Sequence, residues 1–130
     1  MTTEVSPPGM LTAVHEPAAA AQATITVAAI GATDNLPAGR RYRCHMICAS
    51  LSAAGTASGI MTVYLRDGAT GAGAVLFAAT LSVPVNGCAA ICLSDLNIAG
   101  SQNTAMTLEF AAAGAAATVE KVTLGYSISR

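Results

Sequence analysis

The stretch from Met61 to Ile91, MTVYLRDGATGAGAVLFAATLSVPVNGCAAI, constrains the fold more than any other part of this chain. Met61, Val63 and Leu65 alternate with Thr62, Tyr64 and Arg66, the period-two pattern of a strand with unlike faces. Asp67-Gly68 through Gly73 supplies three glycines and no bulky residue, so the chain can reverse there. Ala74 to Val83 reads as a second strand. Asn86-Gly87 predicts a tight type I′ turn, whose twist suits flanking antiparallel strands, and Cys88 to Leu93 reads as a third strand. Three strands joined by short turns form a meander, and a meander must bury one face against a second sheet.

Similar patterns occur on both sides. Gln22 to Ile30 places Ile25 and Val27 on one face and Thr24 and Thr26 on the other. Arg41 to Ser52 starts with Tyr42 and Cys44 as its apolar set and ends with Ile47, Ala49 and Leu51. Those two sets lie on opposite faces of a regular strand, which predicts a twist or bulge near Ile47. Thr104 to Ala111 alternates Met106, Leu108 and Phe110 against Thr107 and Glu109. Thr118 to Ser129 alternates Val122, Leu124, Tyr126 and Ile128 against Lys121, Thr123 and Ser127. The loops fall at Gly31 to Gly39, Ala53 to Gly59, Ser94 to Asn103 and around Gly114. The expected fold class is all-β: an antiparallel β-sandwich of about eight strands, jelly-roll-like, over residues 22–130.

Residues 1–21 read as an extended N-terminal arm. Pro7, Pro8 and Pro17 lack amide donors and disfavour ladder pairing. Leu11, Thr12, Ala13 and Val14 are short and apolar enough to add as a strand to a neighbour's sheet edge. Ala18 to Ala21 could make a single helical turn.

Charged residues make up 10% of the chain, against a typical figure of about 25%. A surface with so little charge favours coverage by partners over life as a free monomer. The formal net charge of −1 offers no stripe to neutralise phosphates, so nucleic acid is not an expected partner. Arg40, Arg41 and Arg43 are the one basic cluster, read as a solvated strand entry or as inter-subunit contacts. No apolar run approaches the roughly 18 residues of a spanning helix, and aromatic girdles are missing, so no membrane is expected. MTTEVSPPGM lacks the basic start and apolar core of a secretory signal, which points to synthesis in a cytoplasm.

Cys44/Cys48 and Cys88/Cys92 are C-x₃-C pairs, unlike the C-x₂-C knuckle of zinc ribbons. Strand residues four apart lie about 13 Å from each other, which excludes a disulfide or a shared metal ion within either pair. In antiparallel neighbours, Cys44 could face Cys92 and Cys48 could face Cys88. Free thiols acting as small core hydrophobes are the expected state, with cross-strand disulfides as the alternative. The acids are scattered singly, no G-x-S-x-G elbow occurs, and no Lys follows the glycines of 68–73. An enzyme would require convergent acids or a Ser–His pair around His45. The expectation is no enzyme, no catalytic residue, no cofactor and no metal.

The runs VYLRDGATGAGAVLFAATL and IAGSQNTAMTLEFAAA and the closing LGYSIS resemble small virion proteins encoded in the head-gene clusters of tailed bacteriophages and prophages. The resemblance spans roughly residues 60–128. It implies a β-sandwich that serves as a capsid cement or decoration protein on the virion surface. Its implied partners are the major capsid protein and other copies of itself, as a dimer or trimer. The alternative is a tail, fibre or receptor-binding module.

Overall fold

The structure, a computed structural model, describes residues 10–28, 39–53, 59–69, 71–114 and 118–129. Nine strands run through them: β1 (Leu11–His15), β2 (Thr24–Val27), β3 (Arg41–Ser52), β4 (Gly59–Asp67), β5 (Ala74–Val83), β6 (Cys88–Leu93), β7 (Ile98–Ala99), β8 (Met106–Phe110) and β9 (Val119–Ser129). One sheet has the order β1-β9-β3-β6, with the two-residue β7 also against β3. The other has the order β2-β8-β4-β5. Every pairing is antiparallel.

With β7 set aside, eight strands pair from the outside of the chain inward: β1 with β9, β2 with β8, β3 with β6, β4 with β5. That nesting is the jelly-roll form of the β-sandwich. The alternation seen in the sequence supplies both inner faces. Ile47, Ala49, Leu51, Val122 and Leu124 of one sheet meet Val63, Leu65, Leu81, Leu108 and Phe110 of the other in a dry core. The expected change of face in β3 is present. The register shifts between Cys44 and Met46, so His45 is an extra residue, and the buried set passes from Tyr42 and Cys44 to Ile47, Ala49 and Leu51.

The expected meander is corrected. β4 and β5 form a hairpin, but β6 leaves for the other sheet and pairs with β3. The turn is of a kind that suits the change of sheet. Gly87 N–H donates to Pro84 O, so the central residues are Val85 and Asn86, and of these only Asn86 has positive φ (55°). A type I′ hairpin needs positive φ at both central residues. Positive φ at the second alone belongs to a type II turn, which splays its flanking strands.

The arm is corrected in part. Leu11–His15 is an edge strand of the chain's own sheet, in register with Val122–Tyr126 of β9. Ala13 packs on the core and thereby anchors it. Residues 1–9 of the expected arm lie outside the described residues, as do 31–38, 54–58, Thr70 and 115–117 of the expected loops. Ala18 to Ala21 makes one turn, closed by Ala21 N–H on Ala18 O.

Candidate functional site

Apart from the two-residue β7, the nested pairing leaves four strands at sheet edges: β1 and β2 on one flank of the sandwich, β6 and β5 on the other. An edge strand presents unpaired N–H and C=O groups to any extended partner. β1 has five residues, β2 four and β6 six, while β5 has ten. β5 reads AVLFAATLSV, with no charge, proline or glycine along its length. Six large apolar side chains are conspicuously exposed among the described residues. Leu11 (47%) and Val14 (56%) are on β1, and Leu93 ends β6. Ile60 (72%), Val75 (48%) and Val85 (50%) lie on β4, on β5 and in the turn after it. The β5 edge was missed in the sequence because its run of alternating apolar residues is also what an interior strand looks like. The absence of charge over ten residues was the available signal.

The arginine cluster is engaged within the chain. Arg41 and Arg43 share the outer face of β3, as the alternation predicts. Arg41 Nη1 donates to Gly100 O at 3.4 Å. Arg43 donates from Nε to Ser129 Oγ at 2.8 Å and from Nη1 to Asn97 Oδ1 at 3.2 Å. The Arg40 carbonyl accepts from Asn103 N–H. Arg41 and the Arg40 carbonyl hold the loop between β7 and β8 at the start of β3, while Arg43 ties β9 and the segment before β7 to it.

His45, the bulge residue, does meet a serine. Its Nε2 lies 2.6 Å from Ser127 Oγ and its Nδ1 lies 3.1 Å from the Leu96 carbonyl. With Nδ1–H donating to Leu96, Ser127 O–H donates to Nε2. A serine held by an oriented histidine is the start of a nucleophile. Ser127, however, sits within the ladder of a regular strand opposite Arg43, without the sharp strand-to-helix turn that exposes a nucleophile elbow. The Leu96 N–H also donates to the His45 carbonyl, so the histidine grips the 94–97 loop from both its backbone and its ring. This arrangement pins a loop.

Two carboxylates are buried. Glu109 lies on the outer face of β8, yet is 2% exposed, because the 68–73 loop folds back over it. Its Oε2 accepts from Arg66 Nε at 2.8 Å and from Gly71 N–H at 2.9 Å, and Arg66 also lies over the Tyr64 ring. Thr107 beside it donates to Gly68 O. Gly73 lets the loop close that tightly: its φ is +84°, and a Cβ there would fall 2.4 Å from Asp67 O. Glu120 is fully buried and, among the described residues, has no cation beside it. Its Oε1 accepts from Ala23 N–H at 2.9 Å, and burial holds the carboxyl above the ordinary carboxylate range despite that bond.

The cysteine expectation is overturned for one pair. Cys48 and Cys92 stand directly opposite each other on β3 and β6 and are joined by a disulfide. The bulge at His45 explains the partner choice: it turns Cys44 into the core and Cys48 outward, so Cys44 cannot face Cys92. Cys44 and Cys88 are free, the first buried and the second exposed opposite Ser52. Burial pushes the Cys44 thiol up to about 12, which makes it an inert core group. The disulfide borders a shallow depression of about 240 Å³ that includes Lys121 and Thr123. Among the described residues no three His, Cys, Asp or Glu side chains converge on a metal-sized site, and no helix is long and apolar enough to cross a membrane.

No family model matches the chain, and no curated protein does. Solved structures show distant likeness. A family 4 carbohydrate-binding module (CBM4) shares 13% identity at a TM-score of 0.43, over 79% of this chain; the chain spans only 60% of that one. The Tobacco streak virus coat protein shares 9% identity at a TM-score of 0.40, over 95% of this chain and 90% of that one. A protein of Bacillus endospore appendages, a family of disulfide-linked pili, shares 12% identity at a TM-score of 0.39, with both chains covered in full. Likeness this distant assigns no role to the chain. The fold assignment rests on the strand pairing itself.

Proposed function

We propose that this chain is a structural virion protein that acts by adhesion: a capsid cement or decoration protein bound to the major capsid protein lattice of a tailed bacteriophage head. The observation that carries this reading is β1, a sheet edge that exposes Leu11 and Val14. Such a strand offers backbone bonds and apolar side chains to an extended segment of another protein. A weakly charged surface and a rigid sandwich suit a lattice-bound protein. Many copies add their contacts through avidity, and binding only the assembled shell stabilises it by mass action. The sequence resemblance over roughly residues 60–128 supports a phage head as that lattice.

The alternative, a tail fibre or receptor-binding module, has less support. Sugar platforms need exposed aromatic rings, and all five aromatic residues here are engaged. Tyr42 and Phe110 are in the core, Tyr126 meets Tyr42 edge-on, Tyr64 lies under Arg66 and Phe77 packs against the core. The test follows from the position of β1. Leu11→Lys with Val14→Lys leaves the inward-facing Ala13 in place and places charge along the edge. Occupancy on purified phage heads, measured as mass per particle, should drop at least tenfold while the thermal unfolding profile is kept. Unchanged occupancy would rule β1 out as the anchor, and no binding of the unaltered chain to heads would remove the virion reading.

A further inference from the structure

β5 differs from the other three edges in a way that specifies its own occupant. Natural sheets protect their edges with short strands, charge, proline, bulges or a covering segment. Among the described residues β5 has one of these devices, a bulge, and only at one end. Leu65 pairs with Phe77 while Arg66 pairs with Val75, so Leu76 is the extra residue. Phe77 to Val83 then runs as seven regular residues, uncharged and in register with Gly59–Leu65. Phe77, Ala79, Leu81 and Val83 face the core; Ala78, Thr80 and Ser82 face outward and are exposed.

We infer that β5 is a homodimer edge, at which a second copy of this chain adds its own β5 antiparallel about a two-fold axis through Thr80. The commitment to a second copy comes from the symmetry of the strand. Thr80 is the midpoint of the regular segment. Pairing about it puts Thr80 opposite Thr80, Ala78 opposite Ser82, Ala79 opposite Leu81 and Phe77 opposite Val83, each on a common face. Like-facing apolar pairs and a Thr–Thr pair are favourable cross-strand neighbours, and no charge opposes a like charge. Small side chains at Ala78, Ala79 and Ser82 leave room for close approach. The result is an isologous contact that closes on itself and joins two four-stranded sheets into one of eight. β1 is left free on the far flank.

This deepens the adhesive reading by naming one partner, and its test uses the isolated full chain, so the two can fail separately. Sedimentation velocity should show a dimer. Thr80→Lys, which places two like charges at the axis on an exposed face, should weaken that dimer at least tenfold, with the circular dichroism unchanged and the melting temperature unchanged at dilutions where both proteins are monomeric. The register is tested by crosslinking in a Cys88→Ser background. Thr80→Cys sits opposite its own copy, within disulfide reach, and should give a crosslinked dimer on mild oxidation. Ser82→Cys lies four residues out of register with its copy, about 13 Å away along the strand, and should not. A monomer at every concentration would overturn the inference. So would a dimer insensitive to Thr80→Lys, equal crosslinking by both cysteines, or β5 amides that gain protection only when phage heads are added. Loss of head binding with the dimer kept would count against the virion reading alone.

Discussion

The two flanks of the sandwich carry the chain between sheets by opposite means. On the β1/β2 flank the crossing segment is sewn down. His15 Nδ1 accepts from Thr24 N–H, Glu120 Oε1 accepts from Ala23 N–H, Ala20 N–H donates to Thr118 O, and Gln22 and Ala23 bond both backbone groups of Phe110. On the β5/β6 flank the crossing is the four-residue turn Pro84–Gly87, tied by Gly87 N–H on Pro84 O and Ala53 N–H on Gly87 O. The first flank uses a buried carboxyl and a histidine to satisfy backbone groups that the sheet change strands. The second needs few such groups but, among the described residues, leaves the longest edge bare. The crossing that ties the two sheets together is concentrated on the flank that also carries β1, and the long edge proposed for self-association lies on the other.

The largest expected effect comes from breaking the sewn flank at its centre. Phe110 is fully buried, and Phe110→Ala should cost about 3–5 kcal/mol in denaturant unfolding. A loss below about 1 kcal/mol would mean that the flank does not carry the fold. A smaller effect reports on Glu120. Its folded pKa is raised above the unfolded value near 4.5, so between those values the native state holds the proton more often than the unfolded chain. This group's contribution is therefore favourable at low pH and is lost as pH rises through 4.5 toward the folded pKa. Glu120→Gln keeps an acceptor for Ala23 N–H and removes the titration. The stability difference between variant and wild type should shift in the variant's favour from pH 4 to pH 7, and parallel pH profiles would contradict the assignment. The smallest effect belongs to the bare flank. Val85→Ser should change monomer stability by no more than about 0.5 kcal/mol, because Val85 is half exposed and outside the core. A large loss there would erase the distinction between the flanks.

Much of this architecture was written in local patterns. The alternations Met61/Val63/Leu65 and Val122/Leu124 mark their strands and inner faces directly, and the switch from Tyr42/Cys44 to Ile47/Ala49/Leu51 announces the bulge at His45. What was hidden depends on distant parts of the chain. Whether Pro84–Gly87 closes a hairpin or turns a corner depends on β3 offering β6 a place in the other sheet, which no local spacing encodes. The Cys48–Cys92 pairing needed the bulge to be placed to the residue, since one extra residue exchanges inward and outward cysteines. Leu11–Val14 reads equally well as a strand for another sheet or its own; only Ala13 finding the core decides it. Glu109 looked like a solvent-facing residue of an amphipathic strand until the glycine loop covered it.

Amide hydrogen exchange on the full chain, followed by strand in dilute solution, in concentrated solution and with purified phage heads, tests the central claim most directly. The account predicts that β5 gains protection on concentration alone, while β1 stays open until heads are added and then closes. Protection that rises on neither edge, with association or head binding intact, would contradict it.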